Sequence, residues 1–358
     1  MDEDRWHSHI TIDLIARVLN RSIFHPFVAW LVPLCLRAVA TPYAAPEFSA
    51  SCFWASIVTL ATVAAYLDRR IAYGVPRQVD WDHEVVVITG GASGLGKIMA
   101  EMYGMRGASV AILDVQKPSK ESEGLSGVHF YPCDVGDAGA VEKGSVQIAK
   151  DLGQPTILIN NAGIVHGKPL LDLTPAELQR NFNINLLSHF HTIRAFLPGM
   201  LESQQGRGGT IVTVSSVLGK LGASHLSDYT AAKAGLIAMH ASLRAELASR
   251  NAPPGAQNIR TILVTPGQLN TSLFAKVVPP SPFFGPVVEP VELARDIVRM
   301  VDAGESGEIS LPLYARWIDW MQILPAGMQR LARWVSGVDR AMEASGRSSK
   351  NVSKSGTG

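Results

Sequence analysis

The sequence predicts a doubly wound α/β fold with a parallel sheet of about seven strands, preceded by hydrophobic, membrane-associated helices. Three observations predict it. From Glu84 onward, short apolar runs alternate with longer amphipathic stretches, the pattern of βαβ units. Glycines 90, 94 and 96 stand where the first of those runs passes into the first such stretch. Ahead of them lie two apolar runs, one of which carries no charge from Ser49 to Leu67.

The N-terminus opens on Asp2, Glu3 and Asp4, the wrong sign for a cleaved signal peptide. The first apolar run, Ile23 to Leu36, is interrupted by Pro26 and Pro33 and closed by Arg37, which leaves it short and broken for a span. The second run reaches roughly 28 Å as a helix, close to the ~30 Å hydrocarbon core of a bilayer. Arg17 and Arg21 precede the pair and Arg69 and Arg70 follow it, with Arg37 alone between the runs. The positive-inside tendency then puts both ends in the cytosol, as a hairpin or a monotopic wedge. The competing reading is a helical pair packed on the globular domain or at a dimer contact.

Candidate strands follow at Val85–Thr89, Ser109–Asp114, Val128–Cys133, Thr156–Asn160, Thr210–Val214, Ile259–Val264 and Glu308–Leu311. Between them the helical stretches are Lys97–Arg106, Ala138–Leu152, Pro175–Met200, Tyr229–Arg250 and Val291–Ala303. In such a fold ligands sit beyond the carboxyl ends of the strands. Residues 268–290 break the pattern with five prolines among Phe274, Phe283 and Phe284, and are expected to form an apolar lid. The stretch from Leu313 to Val335 sets Trp317, Trp320, Leu331 and Trp334 beside Arg316, Arg330 and Arg333. It reads equally as an interfacial helix broken at Pro325 or as packing against the core or a second subunit. The expected organisation is therefore a membrane-associated region over 1–75, a catalytic domain over 82–312, an amphipathic extension over 313–345 and a disordered tail over 346–358.

Composition narrows the function. The formal net charge is +1 and charged residues make up 18% of the 358, which disfavours a nucleic-acid partner. The hydrophobic share is 47%, concentrated near the N-terminus, and mean hydropathy is +0.14, both pointing to membrane attachment. Cys35, Cys52 and Cys133 form neither a disulfide framework nor a metal spacing, so no metal is expected and the bulk of the chain reads as cytosolic. The sequons at Asn20, Asn270 and Asn351 are discounted on the same ground.

The chemistry-bearing residues lie at the expected strand ends. A loop of Gly90, Ser93, Gly94, Leu95 and Gly96 between strand and helix lets the backbone approach a pyrophosphate, whose charge meets the helix N-terminus. Asp114, closing the second strand, suits the adenosine ribose hydroxyls and would repel a 2′-phosphate, which favours NAD(H); its plain alternative is a strand-end turn residue. NADP(H) stays open because Lys97 and the loop Lys117–Glu121 offer compensating charge. Tyr229 and Lys233 are i and i+4, so on a helix the ammonium lies beside the phenol and favours its anion. A tyrosine so tuned can act as acid or base on an alcohol or carbonyl oxygen.

Together, Thr89-Gly-x-x-x-Gly-x-Gly96, Asn160-Asn161-Ala162-Gly163, Ser216, Tyr229-x-x-x-Lys233 and Pro266-Gly267 resemble, in order and spacing, the short-chain dehydrogenase/reductase family over about residues 82–312. The resemblance implies a single Rossmann-type domain in which Tyr229 exchanges a proton with the substrate oxygen. Lys233 would lower the tyrosine pKa and hold the nicotinamide ribose, and Ser216, thirteen residues before Tyr229, would bond the same oxygen. Asn185 matches the asparagine that completes a proton relay, with Asn183 as its competitor. Asn160 to Gly163 would lie beside the cofactor, Asn161 touching it and Asn160 pinning neighbouring backbone. Asp134 would meet the adenine, and Pro266, Gly267 and Thr271 the nicotinamide carboxamide. The family also implies a homodimer built on helices 175–200 and 229–250.

With its apolar N-terminus, the chain is similar to the membrane- or lipid-droplet-associated branch that includes retinol and 17β-hydroxysteroid dehydrogenases. Leu218, Leu221 and Leu226, where polar substrate contacts are common in the family, agree with an apolar substrate. The expectation is an NAD(H)-preferring oxidoreductase of retinoids, steroids or long-chain alcohols, held on endoplasmic reticulum or lipid droplets with its catalytic domain in the cytosol. The alternatives are an NADPH-dependent ketoreductase of lipid biosynthesis and a non-catalytic lipid-droplet scaffold.

Overall fold

The computed structural model describes residues 11–119, 124, 125, 127–202, 208–274, 283 and 285–336. They form two compact units, one of residues 11–75 with Phe283 and one of the remainder.

In the first unit, Thr11 caps α1 (Ile12–Arg21) by accepting the Leu14 amide at 3.2 Å. Pro26 occupies the first turn of α2 (Pro26–Ala38), where its missing N–H costs nothing, and Pro33 lies inside that helix. The third helix, α3 (Pro46–Tyr73), runs 28 residues and ends on Gly74 at φ 75°. By length and composition α3 suffices to cross a membrane, and α1 with α2 makes a second such length bent by 54°. Helices α2 and α3 close on small residues, Ala29, Ala55 and Val58, while the Trp30 indole donates to Thr59 Oγ1 at 2.9 Å. Most of their large apolar side chains, such as Phe27, Leu34, Phe53 and Leu60, face outward.

The second unit is built on a seven-stranded, all-parallel sheet in the order β3-β2-β1-β4-β5-β6-β7. The strands are β1 (Val85–Thr89), β2 (Ser109–Asp114), β3 (Val128–Pro132), β4 (Ile157–Asn160), β5 (Gly209–Val214), β6 (Ile259–Pro266) and β7 (Gly307–Leu311). Strand β1, Val-Val-Val-Ile-Thr, is buried along its whole length, as a strand covered on both faces must be. On one face it meets α4 (Gly94–Gly104) and α9 (Pro290–Asp302) through Met99, Tyr103, Leu293 and Ile297. On the other it meets α5 (Ala138–Leu152), α7 (Ser188–Leu201) and α8 (Ser227–Leu247) through Ile148, Ile193, Phe196 and Leu243. Strand order reverses between β1 and β4, so a crevice opens there at the carboxyl ends.

The single helix expected over Pro175–Met200 is three pieces. Thr174 and Glu177 form a reciprocal capping box on α6 (Pro175–Phe182). A π-helical turn at Asn183–Leu187 then inserts extra backbone before α7 begins.

The two parts of the C-terminal extension differ in burial. Residues 313–321, with α10 (Ile318–Met321), pack Ala315 and Ile318 onto Val217, whereas α11 (Ala326–Ser336) buries no residue. Of the expected lid, residues 275–282 and 284 lie outside the described residues, as do Lys120, Glu121 and the expected disordered tail.

Candidate active site

The glycine loop turns tightly and leaves no room for side chains at Gly90 and Gly96. Gly90 and Gly94 hold φ of 65° and 53°, the left-handed region that a side chain would strain. A Cβ on Gly96 would stand 2.6 Å from Asn161 Nδ2 and press on the Gly90 carbonyl. Ser93 precedes α4 without capping it, and the first turn of that helix carries no acidic residue. Its amides therefore face the cleft with no side-chain acceptor, as an anion site requires.

The loop is fixed from across the switch point. Thr89 Oγ1 accepts the Asn161 and Ala162 amides at 2.9 and 3.1 Å. Asn161 Nδ2 donates to the Thr89 and Gly90 carbonyls at 3.1 and 3.2 Å. Here one expectation is corrected: Asn161 pins the neighbouring backbone. Asn160, the last residue of β4, turns beneath the sheet and accepts Thr192 Oγ1 at 2.8 Å. Asp114 accepts the Ala92 and Gln116 amides, both at 3.0 Å, and so combines a turn role with a place on the cleft wall. Asp134 lines the same wall, its Oδ1 accepting the Gly136 amide. Lys97 pairs with Glu101 at 3.6 Å.

At the other end, Leu95, Ser216, Tyr229, Lys233, Pro266, Gly267 and Thr271 share the cleft. Ser215 and Ser216 diverge. Ser215 Oγ donates to the Lys233 carbonyl at 2.8 Å and anchors α8, while Ser216 heads the turn after β5 and accepts the Leu218 amide at 3.1 Å. Lys233 Nζ donates to the Val214 carbonyl at 2.9 Å and sits 5.6 Å from the centroid of the Tyr229 ring. Asn185 and Asn183 both lie in the π-helical turn but have different partners. Asn185 is fully buried and clasps Ile164, donating to its carbonyl and accepting its amide at 2.8 Å each. Asn183 instead takes a bond from Gln179 on the outer face. A Cβ on Gly163 would stand 3.0 Å from Asn185 Oδ1 and 3.8 Å from Lys233 Nζ, so both groups meet over that glycine.

Burial governs the protonation of this cluster. It lifts the Tyr229 phenol above its ordinary value, and only a hydrogen bond with Ser216 draws it back. The same burial lowers the Lys233 ammonium from 10.5 to about 8. The dry surroundings are the largest influence on both groups. Those surroundings are Val165, Leu218, Ala223 and Leu226, with the Phe274 ring edge-on to Tyr229 at 5.9 Å.

A neighbouring polar group escaped the sequence reading. Asp228 is buried beside Tyr229, and its Oδ2 takes both Asn181 Nδ2 and His166 Nδ1 at 2.9 Å. The signal for it was only a carboxylate directly before the tyrosine; its partners, 47 and 62 residues away, left none.

Against known proteins, the family model for short chain dehydrogenases matches residues 84–281. Epidermal retinol dehydrogenase 2 of Homo sapiens is 32% identical over 225 residues, covering 61% of this chain and 71% of its own. The 17-beta-hydroxysteroid dehydrogenase 13 of Rattus norvegicus is 30% identical, covering 66% and 78%. Among solved structures, a short-chain type dehydrogenase/reductase from Mycobacterium marinum superposes with a TM-score of 0.55 at 27% identity, covering 64% of this chain and 94% of that one.

Proposed function

The chain belongs to the short-chain dehydrogenase/reductase family of NAD(P)-dependent oxidoreductases, and we propose that it is a membrane-anchored, NAD(H)-preferring enzyme interconverting lipophilic alcohols and carbonyls. One observation carries the substrate class: the ring of Tyr229, which shares the cleft with Ser216, packs among Val165, Leu218 and Phe274. The retinol and hydroxysteroid dehydrogenases among its relatives agree with that class.

A nicotinamide dinucleotide, when bound, supplies or takes the hydride. In this reading Gly90, Ser93, Gly94, Leu95 and Gly96 hold its pyrophosphate, Asp114 and Asp134 its adenosine end, and Asn161, Pro266, Gly267 and Thr271 its nicotinamide end. Tyr229 gives a proton to a carbonyl oxygen or takes one from an alcohol, and Ser216 orients that oxygen. Lys233 holds the ribose and passes the proton on, with Asn185 completing the relay over Gly163. The Asp114 carboxylate and the pairing of Lys97 with Glu101 favour NAD(H), since neither welcomes a 2′-phosphate.

The test is a screen of retinoids, steroids and long-chain alcohols and carbonyls in detergent, followed by absorbance of the reduced nicotinamide. Wild type is expected to turn over at least one with NAD(H), and Tyr229→Phe none. Undiminished turnover by Tyr229→Phe overturns the mechanism, and preference for NADP(H) overturns the role of Asp114. For the anchor, α3 supports attachment to endoplasmic reticulum or lipid-droplet membranes, with the catalytic unit in the cytosol. The full-length chain should then resist alkaline carbonate extraction, and release by carbonate would refute it. A homodimer through α7 and α8 is proposed on the family pattern, to be checked by light scattering.

A further inference from the structure

Helix α11 is turned inside out. Gln329 and Arg333, at i and i+4, face the protein's own backbone: Gln329 Nε2 donates to Leu324 O at 2.8 Å and Arg333 Nη2 to Gly222 O at 2.7 Å. Met328, Leu331 and Val335, at i, i+3 and i+7, form the opposite stripe and are 53, 60 and 71% exposed. A helix packed on its own core does the reverse. Trp320 and Trp334, each 64% exposed, and Ile323 extend the stripe into one apolar patch.

The chemistry around the patch selects its partner. From Trp317 to Ser336 the chain holds two arginines and one carboxylate, Asp319, which pairs with Lys220, and Arg330 and Arg316 are exposed beside the tryptophans. Indoles at an apolar rim with cations alongside suit the boundary between acyl chains and anionic headgroups.

What lies behind the patch gives it a consequence. Residues 217–222 follow Ser216, and Leu218 packs against Tyr229. That segment lies on the backbone of α8, where a Cβ on Gly219 would stand 2.7 Å from the Lys233 carbonyl, and β7 and the C-terminal extension hold its other side. Lys220 Nζ bonds Asp319 at 2.9 Å and Glu308 of β7 at 2.8 Å, and Gln322 Nε2 donates to the Lys220 carbonyl at 2.8 Å. Val217 is buried against Ala315 and Ile318.

We propose that the segment from Trp317 to Ser336 is a lipid-docking surface for an anionic phospholipid layer, and that its seating sets the position of the 217–222 wall and so governs access of membrane-dissolved substrate to Tyr229. This rests on the lipophilic-substrate reading above. Docking is separate from the N-terminal helices, because it acts through contacts made to the substrate wall itself.

The test compares full-length wild type with Leu331→Asp/Val335→Asp, both exposed positions, in vesicles of phosphatidylcholine and phosphatidylserine. With acyl chains brominated, tryptophan emission of wild type should be quenched more than that of Trp320→Phe/Trp334→Phe, and the excess should vanish in the aspartate variant. The aspartate variant should show KM at least about tenfold higher for a long-chain alcohol dissolved in the vesicles, on the loss of two aliphatic side chains from the lipid layer. Its kcat/KM for a short water-soluble alcohol should stay within about twofold, which also shows that it folds. Absence of the excess quenching overturns docking. Unchanged KM in the vesicles overturns its link to access. Loss in the variant of a concentration-dependent dimer, without change in quenching, would assign the patch to a second copy of the chain. If wild type turns over no lipophilic alcohol or carbonyl at all, the functional reading fails, while the quenching still decides docking.

Discussion

Lys233→Met should abolish turnover and yet make the protein more stable. Each pH unit of displacement in a proton equilibrium corresponds to about 1.4 kcal/mol. Burial brings the Lys233 ammonium from 10.5 to about 8, so holding it charged in the folded state costs about 3 kcal/mol at pH 7. Methionine removes that cost but also the bond from the charged Nζ to the Val214 carbonyl, whose net worth is about 2 kcal/mol. The expected gain is about 1 kcal/mol, or about 2–4 °C in Tm for a unit of this size. The sign follows from the protons bound. Below pH 8 both folded and unfolded lysine are charged and the cost is complete. Between 8 and 10.5 the folded lysine has lost its proton while the unfolded one retains it, so wild type recovers stability, and above 10.5 the penalty is gone. Thermal unfolding of both proteins in detergent without nucleotide, from pH 6 to 11, measures this. A variant no more stable than wild type at pH 7, or a difference that does not shrink between pH 8 and 10.5, would refute the reasoning.

The raised phenol of Tyr229 predicts that alcohol oxidation, which needs the base form, climbs with pH through the alkaline range. Ser216→Ala removes the one bond opposing that rise, so the climb should move to higher pH while kcat falls about 10²- to 10³-fold; a rate that falls with rising pH would contradict this. Asp228→Asn keeps the shape of the side chain but replaces one acceptor oxygen with an NH₂ group, and should cost about 1–3 kcal/mol of stability in urea titration, with a loss in kcat that Asp228→Glu partly restores. Equal stability of wild type and the asparagine variant would remove Asp228 from the set. Gly96→Ala should weaken NADH binding by about tenfold or more in calorimetric titration, because neither the Gly90 carbonyl nor Asn161 can retreat from the new methyl. Unchanged affinity would show that the cradle relaxes.

The sheet was legible because its physics is local. Runs such as Val85–Thr89 and Ile157–Asn160 are continuous β-branched and apolar stretches, and the observed strand limits fall within two residues of those expected. The helix over 175–200 was not, since a single π-helical turn leaves no mark on a periodicity read over three turns. That turn also decides between Asn183 and Asn185, a choice that helix polarity leaves open. Asn161 takes the backbone-pinning role expected of Asn160 for a similar reason: where β4 stops determines which side chain turns under the sheet. Asp228 was hidden because its meaning lies entirely in partners distant along the chain.

The C-terminal helix shows a different limit of sequence reading. Periodicity finds that α11 has two unlike faces but gives no sign for which one turns inward, so the stretch read equally as core packing or as an interfacial element. The sign comes from what the helix lies upon. The Gly222 carbonyl accepts from Arg333 and the Leu324 carbonyl from Gln329, and the aliphatic stripe is left outside. One turn upstream the choice reverses, because Val217, Leu218 and Leu221 offer an apolar surface and Ile318 enters it. The polarity of the 217–222 wall thus does two things at once. Its leucines face Tyr229 and the extension, and its exposed carbonyls hold a helix with its apolar side outward, which joins the substrate wall to the patch by direct bonds.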